Sequence, residues 1–160
     1  MSKELNKTYD PKDIEDRLYK KWEDNGYFHA EVDRSKKPFT IVMPPPNITG
    51  QLHMGHALDN TMQDILIRYK RMQGYDVFFL TGTDEHGLKI EELAKQEGIS
   101  PKEHVDKVVG EIKEICKIMN ISYDGFIRTT DEQHEKVVQK IFKKLYDQGD
   151  IYKSSYEGWY

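Results

Sequence analysis

The spacing of apolar residues along the chain predicts strands that alternate with helices. Short runs rich in β-formers predict buried strands at 39–43 and 77–80, with weaker candidates at 126–128 and 151–152. Apolar side chains at helical spacing predict helices over 53–72, 101–119 and 131–146. Strand, loop and helix repeated in this order are typical of an α/β fold with a parallel sheet.

Capping residues, prolines and glycines indicate where these elements begin and end. Asp10-Pro11 predicts the start of a first helix that ends near Asn25-Gly26, and the motif Ser100-Pro101-Lys102-Glu103 combines a capping box with a helix-starting proline. The three prolines at 44–46 must interrupt regular structure after the first strand. The chain therefore divides into an amino-terminal helical arm, residues 1–37, and an α/β domain, residues 38–160.

The long helix over 53–72 is predicted to bury an apolar face and to end before Gly74. The residues of that predicted face are Leu58, Met62, Ile65, Leu66, Tyr69 and Met72.

Length and composition describe a charged chain of one ordinary domain. The 160 residues include 24 basic and 28 acidic side chains, a net charge of −4, which disfavours a general nucleic-acid binder. Cys116 is the single cysteine and lies on the apolar face of a predicted helix, so no intrachain disulfide can form. With no apolar stretch of ~18 residues and no signal peptide, we expect a cytoplasmic protein that does not enter membranes.

Two loops that follow predicted strands carry the candidate chemistry. In a parallel sheet such loops meet at the carboxyl edge, where ligands bind. The first loop leads into His53-Met54-Gly55-His56, where the positive end of a helix and two imidazoles on one face favour a phosphate group. Glycine between them would allow a flat ligand to approach the backbone. The second loop provides Asp84 and His86.

The two histidines also permit a different interpretation. A His-x-x-His pair can bind a metal ion, with His86 or Asp84 completing the ligand set of a metal-dependent hydrolase. The preceding prolines and Gly55 favour phosphate, and we predict no metal site. We expect His29, His104 and His134 to be solvated. The basic pairs at 20–21, 70–71 and 143–144 are expected to be exposed helix faces.

The run from Met43 to Ala57, with Pro-Pro-Pro-Asn followed by His-Met-Gly-His, resembles the signature of valyl-tRNA synthetase, a class I aminoacyl-tRNA synthetase. That resemblance extends over about 8–80. From about 80 to 160 the chain is more similar to methionyl-tRNA synthetase, through the segments 80–87, 98–101, 120–124, 126–131 and 156–160. The two likenesses together suggest a chimera, a reconstruction or a fragment of a divergent lineage.

The resemblance implies a role for each residue that matches the family motifs. His53 and His56 would be catalytic, contacting the ATP phosphates and stabilising charge on the α-phosphate, and Gly55 would lie against the adenine. Asp84 would bind the α-ammonium of the amino acid. The start of the amino-acid pocket would be lined by Pro45, Pro46 and Asn47.

The same resemblance implies the amino-terminal half of a Rossmann-like synthetase domain. Its reaction would use ATP with Mg²⁺ to activate an aliphatic amino acid, valine first and methionine second, for transfer to tRNA. The sequence contains no Lys-Met-Ser-Lys-Ser loop, editing insertion or anticodon-binding domain. We therefore expect weak activity alone, tRNA binding through other domains and complementation by a carboxyl-terminal half. A non-catalytic nucleotide- or tRNA-binding fragment is the alternative.

Overall fold

The structure, a computed structural model, describes residues 7–12, 14–50, 52–155 and 157. Gln51 of the signature run lies outside the described residues, as do Tyr156 and the final three residues of the methionyl-like segment. Among the described residues, no helix is both long enough and apolar enough to cross a membrane.

The described residues form three parallel strands and five helices, in the predicted alternation except for one helix after the second strand that was not predicted from the sequence. The strands are β1 (Pro38–Val42), β2 (Asp76–Thr83) and β3 (Gly125–Arg128), and the helices are α1 (Glu15–Asp24), α2 (Met54–Met72), α3 (Leu88–Glu97), α4 (Pro101–Ile118) and α5 (Glu132–Asp147). The strand order is β1-β2-β3, with Val42 opposite Leu80 and Leu80 opposite Gly125. The predicted α/β class and parallel sheet are confirmed.

The hydrophobic core lies on the face of the sheet that α2 and α4 cover. Phe79 and Ile67 are fully buried there, and apolar burial of this kind contributes about 1.5–3 kcal/mol per side chain. Cys116 joins the core from α4, as predicted. The alternating burial of β1 leaves Val42 62% exposed, because it points to the face of the sheet opposite the core, as Phe78 of β2 also does. The strand predicted at 39–43 is thus present as β1, but only one of its faces is buried.

Several helix boundaries fall where the sequence places them. Ser100 and Glu103 form the predicted capping box, since Glu103 N–H donates to Ser100 Oγ and Ser100 N–H donates to Glu103 Oε2. Gly74 follows α2 with φ at +78°, a conformation that glycine adopts without strain. α1 begins at Glu15, one turn later than predicted, because Pro11 O and Asp10 first close a separate turn.

Two strand predictions need correction. β2 continues through Thr83, so the segment 81–83 belongs to the sheet and not to the loop that follows, because these residues pair with β3. Residues 151–152 form no strand.

The predicted apolar face of α2 is exposed, and the opposite face is buried. Leu58, Met62, Ile65 and Tyr69 are each more than half exposed, whereas Asp64 and Ile67 are buried. Polar contacts determine this orientation: Asp64 Oδ1 accepts hydrogen bonds from the Ser122 N–H and Oγ–H. The prediction about this face is wrong, because hydrophobic periodicity does not register a buried polar partner 58 residues away.

Two residues expected at the surface are largely buried. The His104 side chain is 6% exposed, since it lies four and eight residues before Val108 and Ile112 on the inward face of α4. The Arg71 side chain is 11% exposed and donates to Ser122 and Asp124. The surface predictions for His104 and Arg71 are wrong.

The amino-terminal arm packs against the end of the α/β domain. Tyr19, Trp22 and Phe28 form an aromatic cluster, and the Arg68 guanidinium lies 4.4 Å from the Phe28 ring centroid. Arg68 also donates to Tyr19 Oη and to Asn120 O. The arm is thus attached through a cation–π contact and hydrogen bonds; the domain division at 37/38 stays a prediction.

Candidate functional site

The loop after β1 is held beside the end of β2 by backbone hydrogen bonds. Asp84 N–H donates to Pro46 O at 3.0 Å, and Ile48 N–H donates to Asp84 O at 3.3 Å. Asn47 and Asp84 therefore face each other as an isolated parallel bridge. Ile48, 1% exposed, anchors the loop in the core.

A cavity of about 340 Å³ opens between this loop, the start of α2 and the sheet. We call it the histidine cavity; its walls are Met43, Pro44, Pro45, Pro46, Asn47, Leu52, His53, Gly55, His56, Asp59, Asn60, Thr81, Gly82, Ile112 and Cys116. Six of the seven site residues predicted from the sequence thus line one cavity. Asp84 is adjacent through its bridge to Asn47 but is not part of the wall. His86 lies apart, with Nε2 3.2 Å from Thr129 O.

The two imidazoles are fixed by the backbone at the start of α2. His53 Nδ1 accepts a hydrogen bond from Gly55 N–H at 3.1 Å, and His56 Nδ1 accepts one from His53 N–H at 3.2 Å. The ring centroids are 4.0 Å apart. Because Nδ1 is an acceptor in both rings, each neutral imidazole carries its proton on Nε2. The arrangement provides two N–H donors for an anion.

This geometry changes the expected role of the helix end. The sequence suggested that unpaired backbone N–H groups would bind phosphate, but those of His53 and Gly55 donate to imidazoles. Those of His56 and Ala57 donate to His53 O. The imidazole Nε2–H groups and the Met54 N–H, which has no partner among the described residues, are therefore the donors that remain. The helix dipole still favours a negative ligand near them.

Two glycines in the cavity wall make room for neighbouring groups. A Cβ on Gly55 would lie 2.9 Å from His53 Cε1, so glycine allows the His53 ring to fold over the backbone. A Cβ on Gly82 would lie 1.8 Å from Ile127 O, where β3 passes close to β2. The predicted contact between Gly55 and adenine stays a prediction.

Cys116 lines the back of the cavity. It is 3% exposed, and burial raises the pKa of its thiol. The thiol therefore stays protonated near neutral pH and is a poor nucleophile.

Glu85, which the sequence reasoning did not single out, forms a buried ion pair at the end of β2. Its carboxylate accepts two hydrogen bonds from Arg128, at 2.7 and 2.9 Å, and one each from Thr83 and Thr130. Burial acts to raise the pKa of Glu85, but the hydrogen bonds from Arg128, Thr130 and Thr83 outweigh burial and lower it. Hydrogen bonding to Glu85 also raises the pKa of Arg128. This pair joins the ends of β2 and β3.

Asp59 and Asn60 also line the cavity and were not predicted. They lie three and four residues after His56, a spacing that brings side chains to the same side of a helix. That spacing is the signal in the sequence that identifies them.

Comparisons with known proteins agree on one family. The family model described as tRNA synthetases class I (M) matches residues 39–160. A methionine–tRNA ligase of Clostridium acetobutylicum is 58% identical over 125 residues, which cover 78% of this chain and 19% of the relative. A valine–tRNA ligase of Clostridium tetani is 46% identical over 169 aligned positions, which cover 93% of this chain and 19% of the relative.

A solved structure shows the same fold. The crystal structure of the ternary complex of LeuRS, tRNA and LeuAMS from Agrobacterium radiobacter K84 superposes with a TM-score of 0.78 and 26% identity. The match covers 89% of this chain and 19% of that chain. The chain thus spans about a fifth of the length of the relatives it matches.

Proposed function

Because the chain belongs to the class I tRNA synthetase family, we propose that it contains the ATP-binding, amino-terminal half of a catalytic domain that makes aminoacyl-adenylate for charging tRNA. The observation that carries the proposal is the pair of imidazoles in the histidine cavity, each fixed through Nδ1 with Nε2 free to donate. Two adjacent donors at the positive end of a helix are suited to a phosphate group.

The proposed reaction joins the amino acid to the α-phosphate of ATP. An oxygen of the amino-acid carboxylate attacks the α-phosphorus, the new O–P bond forms, and the bond to the β-phosphate breaks to release pyrophosphate. His53 and His56 donate hydrogen bonds to phosphate oxygens on which negative charge increases. Donors positioned in advance typically contribute about 10²–10³ in rate, because they need not reorganise during the reaction.

The amino acid is proposed to bind at the other end of the cavity. Pro45, Pro46 and Asn47 form one wall there, and Asp84 is held next to Asn47 by the backbone bridge. A carboxylate at this position suits the α-ammonium group, with Asp84 turning toward it when the amino acid binds.

We propose methionine as the amino acid, with valine as the alternative. The motif around His53 had favoured valine. The family model over 39–160 and the 58% identity to a methionine enzyme, against 46% to a valine enzyme, support methionine instead. ATP, supplied with Mg²⁺, is the proposed co-substrate.

Uncovered apolar surfaces support the proposal that a carboxyl-terminal part completes the domain. α5 has no buried residue, and its apolar stripe of Val137, Val138, Ile141, Phe142 and Leu145 is exposed. The outer face of α2 and Phe78 on the sheet are also exposed. Exposed apolar surface of this extent marks an interaction site. Binding of tRNA is proposed for that additional part.

Single-turnover formation of adenylate tests the proposal. The chain is mixed with labelled ATP and with methionine, valine, isoleucine or leucine, with and without the carboxyl-terminal part of a methionine-type core. We expect adenylate with methionine, and more of it when the added part is present. Adenylate with none of the four amino acids, under either condition, would refute an adenylate-forming site in this chain.

A further inference from the structure

Asp59 is the charged residue of the histidine cavity that the proposed reaction does not use. Among the described residues of the wall, the ionisable side chains are His53, His56, Asp59 and the buried thiol of Cys116. Asp59 is the one carboxylate among them. Asp59 is exposed, and it makes no hydrogen bond or ion pair with another described residue. Its carboxylate is therefore free to bind a ligand.

The helix places this carboxylate close to the two imidazoles. At about 100° per residue, positions 53, 56, 59 and 60 lie within one sector of roughly 120°, and Asp59 stands about 4.5 Å along the axis from His56. An anion bound by the imidazoles would thus have a carboxylate as its neighbour. Two like charges about 4 Å apart repel by about 1 kcal/mol in water and by more in a cavity. A cation between them removes this repulsion.

We propose that Asp59 binds the divalent cation that accompanies ATP. This inference rests on the proposed function, since it requires ATP phosphates at His53 and His56. Mg²⁺ prefers oxygen ligands and is usually held by one or two carboxylates together with substrate phosphates and water. The Asp59 carboxylate fits that pattern, and the amide oxygen of the adjacent Asn60 is a second donor of the same type.

The rest of the chain is consistent with a cation that arrives with its nucleotide. Nowhere in the part of the chain that the structure describes do three His, Cys, Asp or Glu side chains come together as a metal-ligand set. A single carboxylate binds Mg²⁺ weakly by itself, whereas the phosphates provide the remaining ligands. Asp59 thus distinguishes the magnesium complex of ATP from the free nucleotide.

Calorimetric titration tests this inference with ATP in excess Mg²⁺ and with ATP in EDTA. Wild type and Asp59→Asn, which keeps the side-chain shape, are compared with Glu114→Gln, which removes one negative charge from an exposed site on α4. We expect wild type to bind the magnesium complex on the order of tenfold more tightly than free ATP. In Asp59→Asn the free nucleotide should bind more tightly than it does to wild type, and the preference for the magnesium complex should fall at least fivefold.

A spectroscopic measurement gives a second readout. Mn²⁺ held by a non-hydrolysable ATP analogue should give a protein-bound electron paramagnetic resonance signal that differs from that of the same complex in solution. This protein-bound signal should be present in wild type and in Glu114→Gln, and should be lost in Asp59→Asn. If Asp59→Asn increases the affinity for free ATP and for its magnesium complex by the same factor, and the protein-bound Mn²⁺ signal remains, Asp59 acts only through its charge and the inference is wrong. If no variant binds ATP in either form, the proposed function itself fails.

Discussion

The ring of His53 lies 4.0 Å from the ring of His56, centroid to centroid, and each Nδ1 accepts a hydrogen bond from a backbone N–H of the same helical turn. The pair that would contact phosphate is therefore also the cap of α2.

Changing both residues, His53→Asn with His56→Asn, separates capping from ligand binding. Asparagine keeps an acceptor near the position of Nδ1 and is a good N-cap residue, but it lacks the Nε2 donor. We expect ATP affinity to fall by about 1.5–3 kcal/mol per imidazole, with helix content unchanged. Calorimetry measures the ATP affinity and far-UV circular dichroism measures the helix content. His29→Asn is the control, because His29 is exposed. Unchanged ATP affinity together with lost zinc binding would favour a metal site instead.

Asp84→Asn should affect the amino acid far more than ATP. The substitution keeps the side-chain shape and removes the charge proposed to pair with the α-ammonium, a loss of roughly 1.5–3 kcal/mol. Fluorescence or calorimetric titration of methionine and ATP, each alone, measures the two affinities. Equal losses for both ligands would mean that Asp84 has a structural role at its bridge with Asn47.

The ion pair between Glu85 and Arg128 should make stability depend on pH in the acidic range. The folded state lowers the pKa of Glu85, so its stabilising contribution is present above the ordinary glutamate pKa and is lost as pH falls through the lowered value. Urea unfolding at pH 7 and at successively lower pH measures this dependence. Glu85→Gln should cost about 1.5–3 kcal/mol at pH 7, because Arg128 loses a charged acceptor while its ion pair with Asp106 remains, and should flatten the acid dependence. The same acid dependence in Glu85→Gln would contradict this assignment.

Gly82→Ala should destabilise the sheet, because the new Cβ would collide with the backbone oxygen of Ile127. Overpacking against side chains typically costs about 1–3 kcal/mol, and a backbone neighbour yields less easily. Gly110→Ala is the matched control, since Gly110 lies within α4 with nothing within 4 Å of the new methyl group. That control should stabilise the protein by about 0.5–1 kcal/mol. Urea denaturation measures the free energy of unfolding of both variants. An equal loss of stability in Gly82→Ala and Gly110→Ala would contradict the steric explanation.

The isolated chain should self-associate through its exposed apolar surfaces. Phe142→Lys on α5, where Phe142 is 56% exposed, should shift the chain toward monomer in sedimentation velocity without loss of helix. Lys140→Gln, on the same helix, is the control and should leave association unchanged. Addition of the carboxyl-terminal part of a methionine-type core should have the same effect as Phe142→Lys. A monodisperse wild-type monomer would contradict the prediction.

The sequence predicts the elements that depend on local signals. The capping box at Ser100 and the start of α2 at His53 are read from neighbouring residues, and both are confirmed. The collection of His53, His56 and Asn47 in one cavity follows from the rule that ligands bind at the carboxyl edge of a parallel sheet.

What the sequence does not predict depends on partners distant along the chain. The inward face of α2 is determined by Ser122, 58 residues beyond Asp64, and periodicity alone selects the opposite face. His104 is polar, yet its place on the inward face of α4 buries it. Glu85 pairs with Arg128 across two strands, which requires knowing that β2 and β3 are neighbours.

Two of the hydrogen bonds that hold the first turn of α2 also fix the imidazole pair, so we expect the two to open together. Helix ends fray more readily than helix centres. Each molecule in which this turn is open lacks the geometry proposed to bind phosphate, so the observed nucleotide affinity should equal the intrinsic affinity multiplied by the closed fraction. Hydrogen exchange at the amides of His53 and Gly55 reports that fraction directly. Substitutions that strengthen this one turn should therefore tighten nucleotide binding without contacting the nucleotide.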